Sequence, residues 1–168
     1  MTFNNFKRVK GAGKALELFS QMPDADWFML LCYGSAGCGK THLCEALAYE
    51  LRQEMKFTRV LEWSERIRIL KGAMQRRDRP GYYDQLFEGM QRAERLIIDD
   101  VGAGTTGSSW EWGELEDIVS YRYKRELFTV ITTNLDVADL PDRIVSRFRD
   151  KTKARICFNS AGDYRPFK

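Results

Sequence analysis

Residues 27–41 have the sequence WFMLLCYGSAGCGKT, and this stretch decides the fold. The first seven residues are continuously apolar, which is typical of a strand covered on both faces. The next eight, from Gly34 to Thr41, have the spacing G-x-x-x-x-G-K-T. Residues 40–55 then carry apolar or small side chains at a period near 3.6 residues, which predicts an amphipathic helix. A strand, a glycine-rich loop and a helix in this order predict a phosphate-binding loop.

The loop motif also predicts which atoms hold the phosphates. Glycine permits tight turns that point successive backbone N–H groups at phosphate oxygens, and the helix N-terminus adds positive potential. Lys40 is predicted to reach the β- and γ-phosphates, and the Thr41 hydroxyl to ligate Mg²⁺. His42 is open to a second interpretation, as a helix-packing residue. The predicted nucleotide contacts are Gly34, Ser35, Ala36, Gly37, Cys38, Gly39, Lys40, Thr41 and His42.

The remaining apolar runs alternate with helical patterns. Further strands are predicted at residues 58–63, 95–100, 128–133 and 154–158. Helices are predicted at residues 64–76 (with Ser64 as N-cap), 82–92 and 110–125, and a short one near Leu140 and Pro141. The glycine-rich residues 101–109 predict a loop. Strands that alternate with helices imply an α/β fold with a parallel sheet covered on both faces.

Polar residues that follow two of these strands suit a Mg²⁺-nucleotide. Asp99 and Asp100 end the strand predicted over 95–100. Asp99 is predicted to hold the metal through water, and Asp100 to polarise the attacking water. Asn134 follows the strand over 128–133 and is placed to hydrogen-bond the γ-phosphate or that water. For all three residues the alternative is an ordinary turn-forming role.

Basic residues are concentrated in two segments, although the net charge is only +3. Residues 142–155 hold six basic residues against two acids. Among them, Arg143 and Arg147 are four apart and share a helical face, so either is a candidate to reach a neighbouring subunit's γ-phosphate. Surface or DNA contacts are the alternative. The first segment suits a polyanion or a solvated helix face equally well, and its basic residues are Arg66, Arg68, Lys71, Arg76, Arg77 and Arg79.

Composition excludes several classes of protein. A chain of 168 residues with 43% hydrophobic and 30% charged residues suits one globular domain and excludes disorder. No apolar run is long enough to span a bilayer, and the first residues do not resemble a signal peptide, so we expect a cytoplasmic protein. The four cysteines lack CxxC spacing, and the single histidine excludes a His-rich metal site.

Four motifs together resemble one family. They are GSAGCGKTHL at 34–43, LIIDDVG at 96–102, TVITTNL at 129–135 and RIVSRF at 143–148. They look like the AAA+ ATPase domain of bacterial and phage replicative-helicase loaders, the DnaC and DnaI group, to which DnaA and IstB are related. The opening TFNNF at 2–6 also resembles the start of that domain, and the resemblance extends to about residue 165.

The resemblance implies a fold and a set of roles. The fold is an AAA+ P-loop sandwich of three αβα layers, with a five-stranded parallel sheet in the order 5-1-4-3-2. Lys40 and Thr41 become the Walker A residues, Asp99 and Asp100 the Walker B pair, and Asn134 the first sensor. Arg147 becomes the arginine finger, and Arg122 and Arg143 further interface residues. The family's helix that tracks single-stranded DNA falls on residues 64–79, which is the first basic segment.

The implied activity is slow, assembly-dependent ATP hydrolysis with ATP and Mg²⁺ as cofactors, because Asp100 is one methylene shorter than the glutamate common at that position. The implied partners are a DnaB-type replicative helicase, single-stranded DNA, and further copies of the chain in an open ring or spiral, with no membrane. We expect a single domain over residues 1–168, without the family's N-terminal helicase-binding segment and C-terminal lid. The rival hypotheses are an IstB-like transposition ATPase on duplex DNA, a nucleotide-gated adaptor and a metabolic kinase.

Overall fold

The computed structural model describes residues 2–6, 9–104 and 107–164. Five parallel strands form one sheet in the order β2-β3-β4-β1-β5, which confirms the expected order 5-1-4-3-2 counted from the other edge. The strands are β1 (Met29–Tyr33), β2 (Thr58–Glu62), β3 (Arg95–Val101), β4 (Phe128–Thr133) and β5 (Ala154–Phe158).

Helices cover both faces of the sheet. Within the described residues they are α1 (Gly13–Gln21), α2 (Lys40–Gln53), α3 (Trp63–Met74), α4 (Tyr82–Gln91), α5 (Ser109–Lys124) and α6 (Asp142–Phe148), with 3₁₀ turns at Phe3–Asn5, Met22–Asp24 and Val137–Asp139. In β1, Leu30 and Cys32 pack towards α1 and α2, whereas Met29 and Leu31 pack towards α3, α5 and α6. The alternating side chains of one strand therefore enter two cores, as its continuously apolar sequence predicts. No helix in the described part of the chain is long and apolar enough to cross a membrane.

Several predicted boundaries differ from the observed ones by one or two residues. Helix α3 begins at Trp63, because the Glu62 carboxylate, rather than Ser64, caps it by accepting from the Ser64 N–H at 3.2 Å. Val101 extends β3 into the predicted loop at 101–109, and Ser108 caps α5. Residues 105 and 106 of that loop lie outside the described residues.

The topology brings the predicted site residues to one edge of the sheet. Parallel strands end at the same edge, and β3, β4 and β1 are neighbours. The P-loop that leaves β1, the acids that end β3 and the Asn134 that follows β4 therefore meet there, where ligands of open α/β sheets bind.

Candidate nucleotide site

The Lys40 side chain occupies the centre of the P-loop. It is only 6% exposed, and its ammonium donates to the carbonyls of Gly34 at 2.8 Å and Ser35 at 2.9 Å. It also donates to the Asn134 Oδ1 at 2.7 Å. The buried charge is thus stabilised by oxygen atoms of the loop and of the residue after β4, which keeps it at the position where the motif requires a cation.

Asp99 is held in place at the end of β3. Its side chain is buried and accepts hydrogen bonds from the Thr132 hydroxyl and, at 3.6 Å, from the Cys44 thiol. Burial raises the pKa of the Cys44 thiol well above its usual range, so the sulfur keeps its proton and remains a donor. Two elements, β4 and α2, therefore orient this carboxylate.

A local irregularity of β3 positions Asp100. The pairing of β3 with β4 shifts register between Ile98 and Val101, and Asp100 has a φ of 58°. Its backbone N–H donates to the Thr132 hydroxyl at 3.0 Å instead of continuing the ladder. Bulges of this kind redirect a side chain near functional sites. Burial, and next the neighbouring Asp99, raise the pKa of the Asp100 carboxyl above its usual range.

Asn134 connects the two halves of the site. Its Oδ1 accepts from Lys40 at 2.7 Å, and its Nδ2 donates to the Asp100 carboxylate at 2.7 Å. One amide therefore bridges the P-loop lysine and the acid at the end of β3. The amide matches both partners, because the carbonyl end meets a cation and the N–H end meets an anion.

The donor set suits a divalent cation with oxygen ligands. The hydroxyl of exposed Thr41 and the carboxylates of Asp99 and Asp100 are hard oxygen donors, and Mg²⁺ prefers such donors together with water and phosphate oxygens. The described residues contain no cluster of three or more His, Cys, Asp or Glu side chains that would hold a metal by itself. These residues therefore fit a Mg²⁺ that shares its ligands with a nucleotide.

Comparison with known proteins identifies the family of this chain. The family model of the bacterial DnaA ATPase domain matches residues 1–152. The chain belongs to the bacterial DnaA ATPase-domain family. The chromosomal replication initiator DnaA of Lactobacillus helveticus is 26% identical over 159 residues, which are 88% of this chain and 33% of that protein. DnaA of Neisseria meningitidis serogroup C is 28% identical over 155 residues, 88% of this chain and 29% of that protein. The chain thus spans about a third of the length of these relatives.

Solved structures confirm the AAA+ fold. AMPPCP-bound DnaA from Aquifex aeolicus has a TM-score of 0.78 at 20% identity, over 94% of this chain and 49% of that one. DnaA bound to AMPPCP and single-stranded DNA has a TM-score of 0.77 at 21% identity, over 96% and 50%. The DnaC helicase loader has a TM-score of 0.76 at 21% identity, over 95% and 96%.

Arg147 of this DnaA-type domain lies near the ends of the strands opposite to the P-loop. Its guanidinium carbon is 5.2 Å from the centre of the Tyr123 ring, and that ring contacts Phe28, which precedes β1. The P-loop follows the other end of the same strand. A strand of five residues is about 16 Å long, so Arg147 lies too far from Lys40 to complete the site of its own chain.

The prediction that Arg122 is an interface residue is wrong, because the folded chain encloses its side chain. It is fully buried, and its Nε donates to the Thr129 hydroxyl at 2.8 Å. Its other nitrogens donate at 2.7–3.1 Å to the backbone carbonyls of Met90, Gln91, Ala93 and Phe128. Burial lowers the pKa of its guanidinium to about 10. The residue ties the end of α4 to the start of β4, and the carbonyls at a helix C-terminus stabilise its charge.

Arg143, by contrast, is at the surface, with its side chain 83% exposed and 3.8 Å from the Glu116 carboxylate. His42 packs edge-on against the Phe6 ring, with centroids 5.1 Å apart, which favours the packing interpretation.

The six basic residues on and after α3 do not form one surface. Lys71 pairs at 2.7 Å with the buried carboxylate of Glu111 on α5, and together with Arg68 it lines an open cleft of 630 Å³. Arg76 and Arg79 instead lie 5.9 Å and 4.3 Å from the centre of the Tyr82 ring at the start of α4. Arg66 is half-buried, and Arg77 is exposed. A count of basic residues along the sequence cannot distinguish the pair Arg68 and Lys71 from the pair Arg76 and Arg79.

The residues that support the site were not predicted from the sequence. Thr132 holds both acids of β3, and Asn159 contacts the P-loop from the segment after β5. Thr132 was visible only as a β-branched strand residue, and its partners lie more than 30 positions away. No signal in the sequence distinguishes Asn159 from an ordinary turn asparagine.

Proposed function

We propose that this domain is an ATP-driven helicase loader of DNA replication. It binds ATP-Mg²⁺, assembles on single-stranded DNA as an open ring or spiral, and delivers a DnaB-type replicative helicase to that DNA in the cytoplasm. The observation that carries the nucleotide half of the proposal is the Asn134 amide, which bridges Lys40 and Asp100. A bridge of this kind suits a site that responds to the γ-phosphate.

The chain's own residues suggest how hydrolysis proceeds. Lys40 turns from the loop carbonyls to the β- and γ-phosphates, while the P-loop N–H groups hold the phosphate oxygens. Thr41 and Asp99 would hold the Mg²⁺ of the nucleotide, and that cation would supply positive charge to offset the charge developing on the phosphates. Asp100 accepts the proton of the attacking water, and Asn134 orients that water. Since Lys40 leaves Asn134 when phosphate binds, the amide is free to sense whether a γ-phosphate is present.

Assembly completes the site. Arg147 lies at the edge of the sheet remote from its own P-loop, so only a neighbouring copy can present this arginine to the γ-phosphate. A head-to-tail contact of this kind makes rings if it closes and spirals if it does not. Hydrolysis then depends on assembly, and the shorter reach of Asp100 is consistent with slow turnover.

The DNA and helicase parts have separate support. A solved DnaA with the same fold is bound to AMPPCP and single-stranded DNA, and DnaC, also of this fold, is a helicase loader. On this chain, the arginines beside Tyr82 combine cations with an aromatic ring, and single-stranded DNA is held by such pairs through phosphate contacts and base stacking.

An initiator-type role is the second candidate, since the sequence relatives are DnaA proteins. In that role the domain binds nucleotide and DNA and does not itself deliver a helicase. A pull-down with a purified DnaB-type helicase distinguishes the two: capture that depends on the ATP state supports the loader, and DNA binding without capture supports the initiator.

The first experiment measures fluorescence anisotropy of a labelled single-stranded oligonucleotide without nucleotide, with ADP and with AMPPCP, against a duplex of equal length. We expect tight single-strand binding only with AMPPCP, and affinity that falls steeply with salt. Lys40→Ala, which removes the phosphate-binding cation, is the control and should not respond to AMPPCP. Preference for duplex would contradict the loader and favour a transposition ATPase, and binding to neither would favour an adaptor.

A further inference from the structure

The segment after β5 runs along the outside of the P-loop. Asn159 is fully buried there, and its Nδ2 donates to the Cys38 carbonyl at 3.0 Å. Its Oδ1 accepts from the Ala161 N–H at 3.2 Å, and its backbone N–H donates to the Tyr33 carbonyl at 2.8 Å. The Tyr164 N–H donates to the Gly37 carbonyl at 3.2 Å. Two successive P-loop carbonyls are thus held by this segment.

Holding the Cys38 carbonyl has a consequence for the next N–H group. The Cys38 C=O and the Gly39 N–H belong to one planar trans peptide, in which they point in opposite directions. When Asn159 holds the carbonyl on the outside, the Gly39 N–H is directed to the other side, into the loop. Gly39 is the last glycine of the G-x-x-x-x-G-K-T motif, whose N–H groups serve the phosphates.

The peptide needs such a hold, because Cys38 stands between two glycines. Gly37 and Gly39 have φ values of 76° and 96°, and glycine permits peptide orientations that other residues resist. The segment after β5 also packs closely against Gly34, the first residue after β1. A Cβ on Gly34 would lie 2.3 Å from the Asn159 carbonyl oxygen, so the loop and the segment after β5 pack backbone against backbone.

We propose that Asn159 is a positioning residue of the nucleotide site, whose carboxamide orients the Cys38–Gly39 peptide so that the Gly39 N–H faces the phosphates. The inference rests on the proposed ATP binding and adds a residue to it. Because the carboxamide acts on a phosphate donor, its loss weakens binding of ATP and ADP alike and leaves the adenosine part of the site unaffected.

The test compares Asn159→Ala and Asn159→Asp with the wild-type chain. Alanine leaves the Cys38 carbonyl without its donor, and the aspartate carboxylate places an acceptor against that carbonyl. We expect Asn159→Ala to weaken ATP and ADP binding in calorimetry by about tenfold, which corresponds to ~1.4 kcal/mol. Asn159→Asp should weaken it further. In ¹⁵N NMR, the shift of the Gly39 amide on adding ADP should shrink in both variants.

Thr129→Val is the matched control, since Thr129 is equally buried. The substitution removes the hydroxyl that accepts a hydrogen bond from Arg122, far from the P-loop. It should lower thermal stability without changing nucleotide affinity or the Gly39 shift. If Asn159→Ala binds ATP like the wild type, or if Thr129→Val weakens binding as much, the inference is wrong while the proposed function stands. A wild-type chain that binds no nucleotide overturns both.

Discussion

At the scale of single residues, the site places two carboxylates side by side before any cation binds. Asp99 and Asp100 are neighbours at a buried strand end, and burial together with Asp99 raises the pKa of Asp100. The ionised form of Asp100 is therefore less favourable in the folded chain than in the unfolded one. This carboxylate therefore costs stability at neutral pH, as groups with perturbed pKa values at functional sites often do.

We expect Asp100→Asn to stabilise the nucleotide-free chain while abolishing hydrolysis. A carboxyl whose folded pKa is raised lowers stability above that pKa, and the loss vanishes below the unfolded value, where both states are protonated. The midpoint of thermal unfolding should therefore rise by about 1–3 °C at pH 7, and the gain should shrink as the pH falls towards 4. Asp78→Asn is the control, since Arg76 lowers the pKa of exposed Asp78 and no gain is expected. A midpoint for Asp100→Asn below the wild type at pH 7 would contradict the argument.

Arg122 shows how burial changes the role of a charged residue. We expect Arg122→Met to lower the free energy of unfolding by about 3 kcal/mol or more, because it strands four backbone carbonyls in the interior. Urea denaturation followed by circular dichroism measures this. Arg143→Met, at an exposed position, should change stability by less than about 0.5 kcal/mol. Equal effects of the two substitutions would show that Arg122 is not a structural residue.

At the scale of elements, helix α3 and the turn after it present two different basic surfaces. Lys71 forms an ion pair with Glu111 on α5, whereas Arg76 and Arg79 lie against the Tyr82 ring. The surface of Arg76 and Arg79 is the better candidate for a DNA path, because both guanidinium groups lie against the Tyr82 ring. On this surface, Arg76 also forms an ion pair with Asp78.

We expect Arg76→Ala and Arg77→Ala together to weaken single-strand binding and to reduce the slope of log affinity against log salt by about 1–2, since each lost phosphate contact removes about one unit or less. Anisotropy titrations at several salt concentrations measure the slope. Arg52→Ala with Arg92→Ala removes the same charge from exposed positions elsewhere and should leave the slope unchanged. An unchanged slope in the first pair would move the DNA path away from this turn.

At the scale of the whole molecule, the P-loop and Arg147 lie at opposite ends of the strands of one sheet. The two ends of β1 are about 16 Å apart. In the proposed assembly, one copy binds a nucleotide at one end of the strands and offers Arg147 to the next copy at the other. Activity is then a property of that assembly rather than of the single chain.

This arrangement predicts complementation between two inactive variants. Asp100→Asn loses the base but keeps Arg147, and Arg147→Ala keeps the base but loses the arginine. Each alone should hydrolyse ATP at least 100-fold more slowly than the wild type in the assembled state. Mixed in equal amounts, they should recover about a quarter of wild-type activity, because a quarter of randomly formed contacts join an intact base to an intact arginine. No recovery in a mixture that still assembles would mean that Arg147 does not act on a neighbour's site.

Local sequence determined the nucleotide loop, the strand order along the chain and the site acids. Spacing within G-x-x-x-x-G-K-T predicts a phosphate loop wherever a strand precedes it and a helix follows, since the chemistry depends on consecutive backbone groups. Asp99, Asp100 and Asn134 follow from their places at strand ends, because parallel strands end at one edge. Helix α1 was not predicted from the sequence. Its apolar stripe of Ala15, Leu18 and Phe19 is short, and its role in the core is seen only from the residues that pack against it.

Only the tertiary structure decided which charged and polar residues are buried and what they contact. Arg122 and Arg147 look alike in the sequence, yet one is enclosed by carbonyls from α4 and β4 while the other lies over Tyr123 at an outer edge. Asn159 reaches a P-loop carbonyl 121 positions away. The physical reason is that backbone conformation and motif chemistry depend on chain neighbours, whereas burial and hydrogen-bond partners depend on residues that only the completed fold brings together.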